Sequence, residues 1–372
     1  MNTTEEKQMK NPLGYKSEKG LLFQFAVPSI IAMLVGSLYN IVDQFFIGHS
    51  VGELGNAATN ISFPLSISCV AIALLFGIGG ASAFNISMGA GEKKKAVYYL
   101  GNSAVMLFSC GIVLCVITLM FLEPLLHFFG SPNNVLDYAK TYTGIIAFGF
   151  PFLILTTGGG HLIRADGRPK VSMICNLTGA IINTFLDALF VFGLNMGMRG
   201  AALATIIGQI LSAIMVIWCL SHCKTVVVGK EHLRVSKKII SRIISLGTAP
   251  FSNQLAMMVV QIVMNKSLKY YGSISVYGEA VPIACAGIIT KVNQVFMSFV
   301  IGISQGLQPI TSFNYGAKKY KRVKTAYTFA IKCGFALAIV AFLLFQLVPR
   351  QIISIFGNGS EEYYTFAINY FH

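Results

Sequence analysis

Two carboxylates lie where a membrane environment would penalise them most. Of the 14 acidic residues, only Asp43 and Asp187 fall well inside long apolar segments; the others occupy tails, loops or segment ends. An ionisable group at membrane depth costs several kcal/mol, so by default it is a functional candidate before it is a structural one. Counted from the segment ends at about 1.5 Å per residue, Asp43, Asp187 and Thr205 sit at one level, roughly 9 Å below the outer surface. Asn183 precedes Asp187 by one helical turn and shares its face. Carboxylate, amide and hydroxyl oxygens gathered at one level suit a hard cation such as Na⁺. The same two carboxyl groups, close together, could instead share a proton. The residues leave Na⁺ and H⁺ both open.

Phosphate-loop, HExxH and Cys/His zinc signatures are absent, so no cofactor is expected beyond a coupling ion, and the chain does not read as an enzyme. Gly77-x-Gly79-Gly80 and Gly158-Gly159-Gly160 read as close helix contacts. A second set of residues could line a cavity: Asn40, Gln254, Met257 and Lys291. Lys291 lies about twelve residues into its segment beside Asn293 and Gln294, and could face a cavity, pair with a carboxylate or snorkel to a surface. The methionines at 33, 88, 173, 215, 257 and 258 could form an adaptable apolar surface, although packing explains any single one equally well.

The elements that must position these groups are apolar spans. The 372 residues are 55% hydrophobic and 11% charged, with a mean hydropathy of +0.68; a soluble domain carries about 25% charged residues. Segments 21–48, 57–90, 96–122, 135–163, 169–193, 199–222, 238–270, 279–314 and 320–348 each approach or exceed the roughly 20 residues that cross a bilayer. A tenth begins near 361. This predicts an all-α, multi-pass membrane protein surrounded by lipid. The eight cysteines show no CxxC pairing and read as small core residues.

The net charge of +14 does not point to nucleic acid. Of the 28 Lys and Arg residues, 21 fall in the N-terminal tail and in every second loop. This is the positive-inside pattern, and it predicts a cytoplasmic N-terminus and cytoplasmic segments 91–95, 164–170, 223–242 and 318–324. Residues 1–20 are polar and do not read as a secretory signal.

An internal repeat is visible. Gly79, Gly89 and Gly130 recur as Gly306, Gly316 and Gly357, at a constant offset of 227 residues. Pro28 recurs as Pro250. Six spans per repeat is an even number, which predicts parallel repeats around a central cavity. The division read from the sequence is a six-helix lobe at 1–222, a cytoplasmic linker at 223–237 and an incomplete second lobe at 238–372. By the offset, most of three helices would be wanting, so the chain reads as about nine and a half of twelve helices, too few to export by itself.

Several local patterns resemble the multidrug and toxic compound extrusion (MATE) family, in particular its DinF-like and MepA-like branch. They are Phe25-Ala26-Val27-Pro28, Tyr39-Asn40-Ile41-Val42-Asp43, Arg164-Ala165-Asp166-Gly167-Arg168-Pro169-Lys170, Asn183-Thr184-Phe185-Leu186-Asp187, and Gly200-Ala201-Ala202 with Thr205. The resemblance implies two six-helix bundles in a bacterial or archaeal plasma membrane, with export of amphipathic, often cationic compounds in exchange for Na⁺ or H⁺, and no obligate protein partner. The acidic residue that the NorM-like branch carries in helix seven is replaced here by apolar sequence around Met257 and Met258, which argues against a cation site in the second lobe. A lipid-linked saccharide flippase is the alternative within transport, and an intramembrane enzyme is a remote one.

Overall fold

In a computed structural model, residues 11–51, 53–131, 133–274 and 280–354 are described. The expected tenth span near 361 lies outside them. Nine long helices carry the fold among the described residues. They are α1 (Glu18–Ser50), α2 (Glu53–Gly89), α3 (Lys93–Met120), α4 in two pieces (Asn133–Ile146 and Phe150–Ala165), α5 (Pro169–Asp187), α6 (Gly197–Ser221), α7 (Lys237–Ser273), α8 (Ala280–Gly316) and α9 (Tyr320–Leu347). The described residues contain no strand. Eight of these helices are apolar and long enough to cross a bilayer, among the described residues searched. Only a helix satisfies all of its own backbone groups in hydrocarbon, which is why so apolar a chain takes this form.

Prolines 28, 64, 250 and 309 lie inside α1, α2, α7 and α8, as membrane helices allow. The sequence treats two regions more simply than the structure does. Residues 123–128, which fall between the expected third and fourth spans, lie in a short helix, Leu122–Phe128. The fourth span is interrupted by a 3₁₀ turn at Ala147–Gly149, beside Pro151, whose ring is unsuited to a helix interior.

The repeat is present in backbone detail. After α2, the amide of Gly91 donates to Met88 O and that of Glu92 to Ser87 O; after α8, Lys318 donates to Tyr315 O and Lys319 to Asn314 O. Each acceptor and donor recurs at the offset of 227. Gly91 and Lys318 both adopt positive φ, 80° and 57°, although a lysine takes the left-handed region less readily than a glycine does.

The two repeats meet through paired crossings at the end of the molecule where Lys93–Lys95 and Lys318–Lys324 lie, here called the basic face. A Cβ on Gly89 would stand 2.0 Å from the carbonyl oxygen of Phe313, and one on Gly316 would stand 2.0 Å from that of Ile86. Ile86 and Phe313 are themselves 227 apart, so the contact is reciprocal. Backbone-to-backbone packing this close requires glycine on both sides.

Candidate functional site

The site forms where α1, α5 and α6 converge near the end opposite the basic face. α5 and α6 approach closely because Gly179 and Gly208 face one another; a Cβ on Gly208 would meet Gly179 O at 2.7 Å, and the Cβ of Asn183 lies 3.1 Å from the same point. This approach sets Asn183 against Thr205. The Asn183 amide donates to Thr205 Oγ1 at 3.2 Å, and the Thr205 hydroxyl donates to Ala201 O at 3.0 Å. Asp187 is the last α-helical residue of α5. The chain then runs π-helically through Ala188–Gly193, an irregularity frequent at functional sites.

Asp43 on α1 lies beside Asp187, close enough for the two carboxyl groups to interact directly. All four residues are buried: Asp43 is 8% exposed, Asn183 2%, Asp187 0% and Thr205 4%. The structure thus brings together the four residues that the sequence grouped. Their donors do not match their acceptors. Asp43 Oδ1, Asp187 Oδ1, Asp187 Oδ2 and Asn183 Oδ1 are buried with no hydrogen-bond donor. An ionised carboxylate only accepts, so two in contact must share a proton or a cation, and an orphaned buried acceptor otherwise costs about 1–3 kcal/mol. Two carboxylates with neutral amide and hydroxyl oxygens suit a hard monovalent cation or a proton. No cluster of three or more His, Cys, Asp or Glu residues that could hold a metal occurs among the described residues, so the donor set does not fit a transition metal.

The comparison with known proteins is informative at this point. The MatE family pattern matches residues 28–189 and 251–372. The chain belongs to the MatE family. It is 26% identical over 357 residues to the multidrug export protein MepA of Staphylococcus saprophyticus, covering 95% of this chain and 77% of that relative. It is 25% identical to MepA of Staphylococcus aureus strain MSSA476, covering 95% and 78%. In fold it is similar to the solved outward-facing conformation of a multidrug resistance MATE family transporter, with a TM-score of 0.87 at 20% identity, over 100% of this chain and 80% of that one. The protein is therefore a multi-pass, all-α membrane protein of the MepA-like branch.

Two tyrosines lie beside this MatE-family site and were not among the site residues expected from the sequence, although Tyr39 opens one of the family patterns. Tyr39 and Tyr142 both lie within electrostatic reach of both carboxylates, and Tyr39 also lies beside Thr205. Tyr39 precedes Asp43 by one turn, so the i, i+4 spacing could have disclosed it. Tyr142 is brought in by the first piece of α4, whose break the sequence does not reveal. The candidate cavity residues are less coherent. The Asn40 amide folds back onto its own helix, donating to Gly36 O at 2.9 Å. Gln254 is half-buried and Met257 is 55% exposed, both on α7, and the described contacts do not link them to Asn40. The side chain of Lys291 lies outside the described residues.

Proposed function

We propose that this MatE-family protein is a secondary exporter that exchanges Na⁺ or H⁺ for amphipathic, often cationic compounds across a bacterial or archaeal plasma membrane, with its basic face in the cytoplasm. The observation that carries the reading is the set of four buried oxygens on Asp43, Asp187 and Asn183 that lack any donor. A bound cation or proton relieves the contact between the two carboxylates. α1 carries Asp43 and also packs along α8 of the other repeat, so the state of that carboxyl group reaches the interface between the repeats. Exchange needs only that ion and substrate each favour a different arrangement of α1, and a coupling of about 1–3 kcal/mol suffices. The names of the MepA relatives support multidrug compounds as the substrate class. Lipid surrounds the protein; no nucleic acid, cofactor or obligate protein partner enters the mechanism, and no catalytic step is assigned.

The test is ion-driven export by the reconstituted protein, which also tests the expectation that about nine and a half helices are too few to export alone. Vesicles loaded with tetraphenylphosphonium, an amphipathic cation, should release it faster under a Na⁺ or proton gradient. Asp43→Asn should retain binding of that cation in detergent while losing the gradient-driven rate. Equal rates in Asp43→Asn and the parent would remove the carboxylate pair from the coupling mechanism.

A further inference from the structure

The first helix of each repeat is anchored on the other repeat at the basic face. At the start of α1, Leu21, Leu22, Phe25 and Ala26 are buried in one cluster with Ile310 and Phe313 of α8 and Ala326 and Ala330 of α9. At the start of α7, Ile243 is buried in the first-repeat core, with Ile239, Ile240 and Leu246 packed against it. Each of these helices is preceded by a segment lying across the opposite repeat, and each segment is held by a fully buried asparagine.

Before α7, Asn102 of α3 donates to the carbonyls of His232 and Arg234 at 3.2 and 3.1 Å and accepts from the amide of Ser236 at 2.9 Å. Before α1, Asn314 of α8 donates to Leu13 O at 2.9 Å and accepts from Arg322 Nε at 3.1 Å. Lys319 donates to Gly14 O at 3.1 Å. Arg322 also donates to Lys16 O and pairs with Glu18 at 3.0 Å. Leu13, only 3% exposed, seats the segment in the apolar cluster. Both asparagines are 0% exposed, and such residues are retained inside a protein only when their amides are satisfied.

The two segments differ in how they can move. The segment before α7 is also fixed at its start, where Asp166 accepts from the amides of Lys224 and Thr225. It joins the two repeats covalently. Among the described residues, the segment before α1 is tied to the other repeat by the side chains named above and by Leu13. It lies at the same face as the reciprocal crossing of Gly89 and Gly316, where α2 and α8 touch backbone to backbone.

We propose that residues 11–16 form a releasable strap that holds the basic-face gate closed by fastening α1 to α8 and α9, with Asn314 and Arg322 as its catch. Undocking the strap frees the start of α1 and allows α2 and α8 to part. The proposal rests on the exporter reading only in requiring a gate, and its test reads gate opening and not export.

The reporter is Ser82, which lies in the covered interface and accepts a hydrogen bond from Gln308 Nε2 at 3.0 Å. In a background with the eight native cysteines replaced, Ser82→Cys is labelled in membrane vesicles by an impermeant maleimide added at the basic face. Removing residues 1–16, which takes away the three hydrogen bonds to the carbonyls of Leu13, Gly14 and Lys16, should raise the labelling rate by at least about tenfold. Leu13→Ala, which leaves the chain otherwise intact, should raise it less. Unchanged rates in the shortened chain and in Leu13→Ala, with the cysteine reactive after denaturation, would overturn the strap. A labelling change without ion-driven efflux would instead leave the strap standing and count against the exporter.

Discussion

Asp166 and Asp187 are equally buried, at 0% exposure each, yet they are opposite in chemistry. Asp166, in the loop after α4, accepts from the Lys224 amide at 2.7 Å, the Thr225 amide at 2.9 Å and the Thr225 hydroxyl at 2.6 Å, and contacts the Arg168 guanidinium at 2.7 Å. Every charge and lone pair of consequence is answered from within the fold. Asp187 has two orphaned oxygens and faces a second carboxyl group. Burial alone therefore does not separate a structural acid from a working one. What separates them is whether the fold itself supplies the donors; on the proposed exporter reading, that role at Asp187 falls to an ion.

The comparison is broken most directly by converting each carboxylate to its amide. Asp166→Asn leaves the Arg168 guanidinium, which is only 17% exposed, without its counter-ion and turns an amide NH2, a donor, toward groups that already donate. Removing one partner of a buried pair costs about 3–5 kcal/mol. The variant should melt well below the parent in detergent, or fail to accumulate. Asp187→Asn should do the reverse. It replaces an orphaned acceptor by a donor that Asp43 can use, so without added Na⁺ it should melt at or above the parent temperature. If both variants lose stability equally, the site at α1 and α5 is a structural polar knot and the distinction fails.

A smaller effect sharpens the comparison within the site. Thr205→Val keeps the shape of the side chain and removes the hydroxyl to which the Asn183 amide donates. Leaving a buried donor unpaired costs about 1–3 kcal/mol. The melting temperature should fall modestly, and Na⁺ should restore less of it than in the parent, because one neutral oxygen of the set is gone. A drop that Na⁺ reverses as fully as in the parent would remove Thr205 from the ion's neighbours.

Much of this was legible in the residues, for identifiable reasons. Long apolar runs specify membrane helices almost without tertiary help, and the alternation of Lys and Arg between loops marks one face of the molecule. The grouping of Asp43, Asn183, Asp187 and Thr205 could be read because helical rise converts sequence position into depth. Tyr142 could not be read so, because its position depends on where α4 breaks. Asp166 was placed correctly in a loop, but its role was invisible, since its partners at Lys224 and Thr225 are backbone groups, which carry no sequence signature. Asn102 and Asn314 were overlooked for the same reason: each is an ordinary polar residue until the segment it holds is seen lying over it.

The least effect is expected from a third carboxylate, and it completes the series. Glu123, in the short helix after α3, pairs with Lys140 at 2.9 Å, with His127 at 3.9 Å, and its side chain is 55% exposed. The Lys140 ammonium holds its carboxyl below the usual carboxylate range. A depressed value in the folded state means that the pair's contribution is present at neutral pH and is lost as the pH falls through the folded-state value. Water screens so open a pair nearly completely. Glu123→Gln should therefore leave the melting temperature at pH 7 unchanged and at most flatten a slight decline on acidification. A clear loss at pH 7 would mean that this end of the molecule excludes water far more than its exposure indicates. The contrast between answered and unanswered carboxylates would then need redrawing, because Glu123 would join Asp166 as an acid whose partner the fold depends on.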